Sequence, residues 1–204
     1  MDSLEKWLGA AGLDDHRTPL IYDAYDGSNA AMLAWMLEYL GREGVHVLDV
    51  FLERWIAEGR EIFYRPVKPE ARQFTARVNP QVRAALKDVC DKSGRKLVDF
   101  RSREEFAGKL PSADGRPGHI PGAVNVVWQD LVGDDHQFLA PEEKLQKLLA
   151  AAGIGPRASV VAYCRTGVRA AVGYLALKRL GFDVVLYDGS YAEWARSGLP
   201  VEVV

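Results

Sequence analysis

Ser159-Val160-Val161-Ala162-Tyr163-Cys164-Arg165-Thr166-Gly167-Val168-Arg169-Ala170-Ala171 is the stretch that decides the fold. Its first five residues form an apolar run of strand length. From Ala170 to Leu180 the pattern turns helical, and it stops at Gly181, a residue suited to the position just past a helix. Between strand and helix lies the turn Cys164 to Arg169. There, the unpaired amides of the first helical turn and the positive end of its dipole face the thiol. Arg165 and Arg169 sit in the same turn. An ordinary thiol is about 3% ionised at pH 7, and moving its pKa down by about two units takes about 2.7 kcal/mol of preference for the anion. Loop amides, a helix N-terminus and two guanidinium groups are sources of that size. Gly167 permits the reversal that turns successive N–H groups inward.

Outward from this turn the chain alternates. Lys96 to Phe100 reads as a strand, Ser102 with Glu105 as the capping box of a short helix, and Ala123 to Val127 as a strand. Asp183 to Tyr187 reads as a strand and Tyr191 to Ser197 as a helix. Asn79 and Pro80 suit the N-cap and first position of a helix, which predicts one from Pro80 to Lys92 with Cys90 as a small buried side chain. Alternation of this kind implies an α/β domain whose mainly parallel sheet carries its site at the carboxyl ends of the strands.

The first third of the chain repeats the last. Leu4, Lys6, Leu8, Ala10, Ala11 and Gly12 recur as Leu145, Lys147, Leu149, Ala151, Ala152 and Gly153, and Tyr22 as Tyr163. After a one-residue slip, Ala30, Ala31, Leu37, Leu40 and Gly41 recur as Ala170, Ala171, Leu177, Leu180 and Gly181. After another, Val45, Asp49, Trp55 and Gly59 recur as Val184, Asp188, Trp194 and Gly198. The copies differ in chemistry. The turn of the first, Asp23-Ala24-Tyr25-Asp26-Gly27-Ser28-Asn29, has no cysteine and carries acids where the second has arginines. Nothing in front of it matches the strands before the second copy. We therefore expect residues 1–63 to be a partial, inactive copy, 64–78 a proline-broken linker, and 79–204 a complete unit. Leu20-Ile21-Tyr22 is then expected to leave a sheet edge uncovered, fit for self-association. Trp55 and Trp194 are expected as core anchors.

Bulk properties narrow the function classes. The 204 residues are 48% apolar and 26% charged, enough for a substantial core. A net charge of −2 gives no reason to expect nucleic acid or an acidic membrane surface as partner. No apolar run approaches membrane-spanning length, and Met1 to Trp7 has no signal-peptide character. Two cysteines without metal-ligand spacing argue against a disulfide framework and a zinc site, and suggest the cytoplasm.

Three ordered motifs carry a family resemblance: His119-Ile120-Pro121-Gly122-Ala123-Val124-Asn125, the Cys164 to Arg169 loop, and Tyr187-Asp188-Gly189-Ser190-Tyr191-Ala192-Glu193-Trp194. Together the chain resembles the rhodaneses, and more narrowly the tandem-domain thiosulfate and 3-mercaptopyruvate sulfurtransferases. That resemblance implies a mainly parallel five-stranded sheet with helices on both faces. It also implies that Cys164 takes a sulfane sulfur from a small anionic donor, holds it as a persulfide, and passes it to cyanide or a thiol, with no metal or organic cofactor. On the same basis, Arg165, Thr166, Gly167, Val168 and Arg169 form the donor-binding loop. Arg165 would hold the donor's anionic head, and Thr166 would cap the turn and offer its hydroxyl. Asp188 and Ser190 would support the loop by hydrogen bonds, Asp99 and Arg101 would form a structural ion pair, and His119 would hold a loop. One departure is that Asp188-Gly189 of the second copy appears in the first as Asp49-Val50. Mercaptopyruvate-specific relatives tend to have Gly and Ser after the cysteine and an arginine where this chain has Glu105, so Arg165, Thr166 and Glu105 favour thiosulfate.

Two other readings stay open beside it. Phosphatases of similar fold place five residues between cysteine and arginine, a ring sized for a tetrahedral oxyanion. Here four separate Cys164 from Arg169, a ring suited to a single sulfur. The second is a relay module whose persulfide serves a partner protein.

Overall fold

The computed structural model describes residues 2–91, 94–110 and 115–204. Its larger sheet has five strands in the order β3-β7-β6-β4-β5, every pair parallel: β3 Arg83–Ala84, β4 Lys96–Asp99, β5 Val124–Asn125, β6 Ser159–Tyr163 and β7 Asp183–Tyr187. Alternate residues of the central strands enter different layers. Val160, Ala162, Val184 and Leu186 join one core, and Val161, Tyr163, Val185 and Tyr187 the other. Both faces are buried, which is why these strands read as continuous apolar runs. One core is closed by α6 (Glu142–Ala151) and α7 (Val168–Arg179). The other is closed by α4 (Leu86–Cys90) and α8 (Ser190–Arg196), through Val89, Tyr191 and Trp194.

The expected helix over 80–92 is corrected. Pro80–Val82 makes one 3-10 turn, with Asn79 Oδ1 accepting from the Gln81 amide at 3.1 Å. Arg83–Ala84 then turns into an edge strand beside β7, and a helix resumes only at Leu86. Pairing with Leu186 and Tyr187 satisfies backbone groups that a continuous helix would have bonded internally. Lys92 lies outside the described residues. Cys90, expected to be buried, is exposed at the end of α4. Trp194 is a core side chain, but Trp55 is not: it is partly exposed, with the Arg60 guanidinium 4.7 Å from its ring centre.

The repeat has a structural counterpart. β1 (Leu20–Ile21) pairs in parallel with β2 (His46–Val47), Leu20 opposite His46 and Ile21 opposite Val47. The corresponding residues of the second copy, Val161 with Val185 and Ala162 with Leu186, pair in the same register. Helix α2, Ser28–Tyr39, corresponds residue for residue to α7, and the two pack against each other. At that seam Tyr174 donates to Glu38 at 3.0 Å, and beside it Trp35 donates to the carbonyl of Val82 in the 3-10 turn at 3.1 Å. Helices α1 (Asp2–Ala10), α3 (Leu52–Ala57) and α5 (Arg103–Phe106) and a 3-10 turn, Trp128–Leu131, complete the elements of the described residues. The stretch read as a linker has no regular structure, yet it is tied down. Phe74 is buried with Leu8, Ile21 and Leu37, Arg72 N donates to Gly9 O at 2.8 Å, and Arg77 N to Leu40 O at 2.9 Å.

Candidate active site

Cys164 follows the last residue of β6 and is 1% exposed. Gly167 takes the N-cap position of α7 with φ 92° and no side-chain cap, so the turn is capped through a residue able to hold a left-handed backbone. Thr166, expected as the cap, is instead one residue too early and exposed. A Cβ at Gly167 would stand 3.1 Å from the Asp188 carbonyl oxygen, so the loop also needs glycine for its close approach to the β7–α8 turn.

That second turn holds the first. Ser190 is fully buried, with φ 53°. Its hydroxyl accepts from the Cys164 amide at 3.2 Å and donates to the Tyr187 carbonyl at 2.7 Å. Tyr191 N and Ala192 N donate to the carbonyls of Cys164 and Arg165, each at 3.0 Å. The start of α8 thus fixes the loop backbone through three hydrogen bonds. Asp188 acts differently from the expected direct hydrogen bond to the loop. Its carboxylate accepts from Arg83 Nε at 2.8 Å, and only its backbone meets Gly167.

Arg165 is exposed at the mouth of the turn, whereas Arg169 is half-buried with its fork closed. Arg169 Nη1 and Nη2 donate to the two oxygens of Glu105 at 2.7 and 2.9 Å. Burial pushes the Glu105 carboxyl up, but Arg169 and the Ser102 amide hold it below the ordinary glutamate value. The Arg169 guanidinium is held above its ordinary value by Glu105 first, and it also lies within electrostatic reach of Cys164. Sequence reasoning found Glu105 as the third residue of a capping box, and that box is formed: Glu105 N donates to Ser102 Oγ at 3.2 Å and Ser102 N to Glu105 Oε2 at 3.1 Å. Its partner across the sheet was invisible, because it is 64 positions away.

Beneath the loop, Asp99 and Arg101 form a buried pair at 2.6 Å. Arg101 also donates to Gly118 O at 2.8 Å and stacks on Tyr191, 4.0 Å from the ring centre. Burial pushes the Asp99 carboxyl up and pulls the Arg101 guanidinium down, and their mutual hydrogen bonds oppose both effects, more than restoring Arg101. Three Arg101 donors on the Asp99 oxygens fit an ionised pair. Asn125 donates to the carbonyls of Asp99 and Arg101, locking β4 to β5. His119 is held by partners other than Cys164. Its ring stacks on Phe106 at 3.6 Å, Nδ1 bonds Phe106 O at 2.8 Å, and its backbone pairs with Glu202.

The corresponding turn of the first copy is filled from within. Asp23 stands where the second copy has Cys164, and its oxygens accept from Tyr25 N at 3.0 Å and Ala30 N at 3.1 Å. Asp26 takes the Ser28 amide and hydroxyl. The amides that would receive an anion at this helix start already have carboxylate partners. Among the described residues no group of three or more His, Cys, Asp or Glu side chains gathers as a metal site would require.

Residues 82–197 match the model of the rhodanese-like domain. The chain is 37% identical to a Haloferax volcanii protein named "Putative thiosulfate sulfurtransferase", over 98% of this chain and 74% of that one. The chain belongs to the rhodanese family. A Mycobacterium tuberculosis protein of the same name is 33% identical over 97% of this chain and 76% of its own. Among solved rhodanese folds, SseA from Escherichia coli, described as a 3-mercaptopyruvate sulfotransferase, superposes with a TM-score of 0.82 at 27% identity, over 93% of this chain and 72% of that one. EanB with ergothioneine superposes at 0.89 and 22% identity, a likeness of fold; this chain spans about half of its length (55%). The rhodanese model does not extend over residues 1–63. No helix among the described residues is long and apolar enough to cross a membrane.

Proposed function

We propose that the protein is a thiosulfate sulfurtransferase working through a persulfide on Cys164. The observation that carries this reading is the placement of Cys164: a buried sulfur at the start of α7, in a loop pinned by Ser190, Tyr191 and Ala192 and flanked by two arginines. The thiolate attacks the outer sulfur of thiosulfate. The sulfur–sulfur bond of the donor breaks, and its electron pair leaves with sulfite. Cyanide or a thiolate then attacks the outer sulfur of the persulfide, and Cys164 leaves as thiolate. Two displacements at one nucleophile predict ping-pong kinetics. In this reading Arg165, exposed at the mouth, meets the donor's oxygens. The names of the Haloferax and Mycobacterium relatives support this donor, and the SseA likeness keeps 3-mercaptopyruvate as the second reading.

Residues 1–63 are read as an inactive partial copy, 64–78 as a linking strap, and 79–204 as the catalytic unit. The matched register of β1–β2 and β6–β7, and the carboxylates in the first turn, support this division. Two thiols and no disulfide suit a reducing compartment such as the cytoplasm. Cyanolysis of thiosulfate by the protein and by Cys164→Ser tests the mechanism. Turnover is expected to vanish in the variant, and turnover that survives in it excludes Cys164 as the nucleophile.

A further inference from the structure

We propose that Arg83 is a positioning residue for the Cys164 loop, acting through Asp188. The register that sets Arg83 opposite Leu186 puts Asp188, two residues on, on the same face of the sheet as Arg83. Across that diagonal Arg83 Nε donates to Asp188 Oδ1 at 2.8 Å. Asp188 in turn stands as a wall beside Gly167: its carbonyl oxygen and Cα lie 3.1 and 3.3 Å from where a Cβ on Gly167 would be. Gly167 is the N-cap of α7, in the turn that begins at Cys164. Arg83 is also held from its other side. The Trp35 indole donates to the carbonyl of Val82, next to Arg83, and the Arg83 guanidinium lies 6.0 Å from the centre of the Tyr39 ring. A brace therefore runs from α2 through Arg83 and Asp188 to the turn that carries the sulfur. Its kinetic consequence rests on the persulfide reading of Cys164; its effect on the loop rests on geometry alone.

The test measures, on the full chain, the single-turnover rate of persulfide formation from thiosulfate, deuterium uptake of the peptide spanning residues 164–169, and the urea midpoint. Arg83→Met is expected to slow persulfide formation at saturating thiosulfate by roughly three- to tenfold, the scale of a loop displacement well under the 1 Å that costs about a hundredfold. Half-saturation by the donor is expected to stay, because Arg83 acts through Asp188 and not on the donor. Uptake by the loop peptide is expected to rise while β4 and β6 stay protected. The midpoint is expected to hold, since a pair whose side chains are 36% and 31% exposed adds little stability. Asp188→Asn is expected to give the same changes, and the double variant no more than either single one. An unchanged rate or unchanged uptake in Arg83→Met overturns the proposal. So do additive losses in the double variant. So does a slower rate that comes with a lower midpoint and uptake raised throughout, the signature of an edge strand that merely holds the sheet. If the wild type forms no persulfide from thiosulfate, the persulfide reading falls, and loop uptake in the single and double variants decides the role of Arg83.

Discussion

At Ser190 the backbone takes φ 53°, a region where a non-glycine residue is uncommon, and the side chain is fully buried. Its hydroxyl accepts from the Cys164 amide, so removing it strands a buried donor at Cys164. Ser190→Ala is expected to cost about 1–3 kcal/mol in urea unfolding and to lower kcat/KM for the donor. A variant with unchanged stability and activity would show that the loop does not need this bond. Gly167→Ala is expected to be worse for turnover than for folding. It places a Cβ at φ 92° and 3.1 Å from Asp188 O, and the nearest relief is to move the loop. A strain of about 1–3 kcal/mol is the scale for such a backbone. Pre-steady-state persulfide formation would register the misplaced sulfur.

Between elements, helix α7 approaches the sheet more closely than any side chain would permit at Gly173. A Cβ there would lie 2.3 Å from the Phe100 ring. Helix propensity alone favours Gly→Ala by about 1 kcal/mol, but overpacking a buried seam costs about 1–3 kcal/mol. We expect Gly173→Ala to be destabilising in thermal unfolding, and a stabilised variant would contradict the packing argument. The Glu105–Arg169 clamp joins α5 to α7 and carries a pH signature. The folded Glu105 value is depressed below its ordinary 4.5, so its contribution is fully present above that value. It is lost as pH falls through the folded value. The stability difference between wild type and Glu105→Gln is therefore expected to shrink as pH drops below about 4.5, read from denaturant midpoints across pH.

For the whole molecule, the packing of α2 on α7 makes the first copy a support for the helix that follows the Cys164 loop. Trp35 joins the core cluster shared with α7, stacked on Tyr39 and bonded to Val82 O of the following 3-10 turn. Trp35→Ala is expected to cost about 3–5 kcal/mol, with loss of activity tracking loss of fold. The far side of the same unit is open. Leu20 and Tyr22 are 65% and 62% exposed, and with Leu52, Trp55, Ile56 and Phe63 they line an apolar groove beside the β1 edge. In the second copy the matching edge of β6 is covered by β4. If self-association uses this edge, sedimentation velocity will show a concentration-dependent species that Leu20→Lys with Tyr22→Lys abolishes. A wild-type protein that stays monomeric at high concentration would exclude that use.

The strand–turn–helix at Cys164, the Ser102–Glu105 box, the parallel architecture and the repeat were legible from local pattern, because each depends on neighbours within a few residues or on matching periods. Three features were not. Arg83 and Ala84 left the expected helix because β7 offered a paired edge. Trp55 stayed near the surface because among the described residues its side of β1 lines an open apolar groove. The partner of Arg169 was out of reach of local pattern: its Nη1 and Nη2 bond Glu105. Sequence by itself determined where the thiol sits and what amides surround it, since a helix start fixes those locally. Only the tertiary structure decided which loop charges are balanced, because partners 64 positions apart meet through the sheet order and not through spacing along the chain.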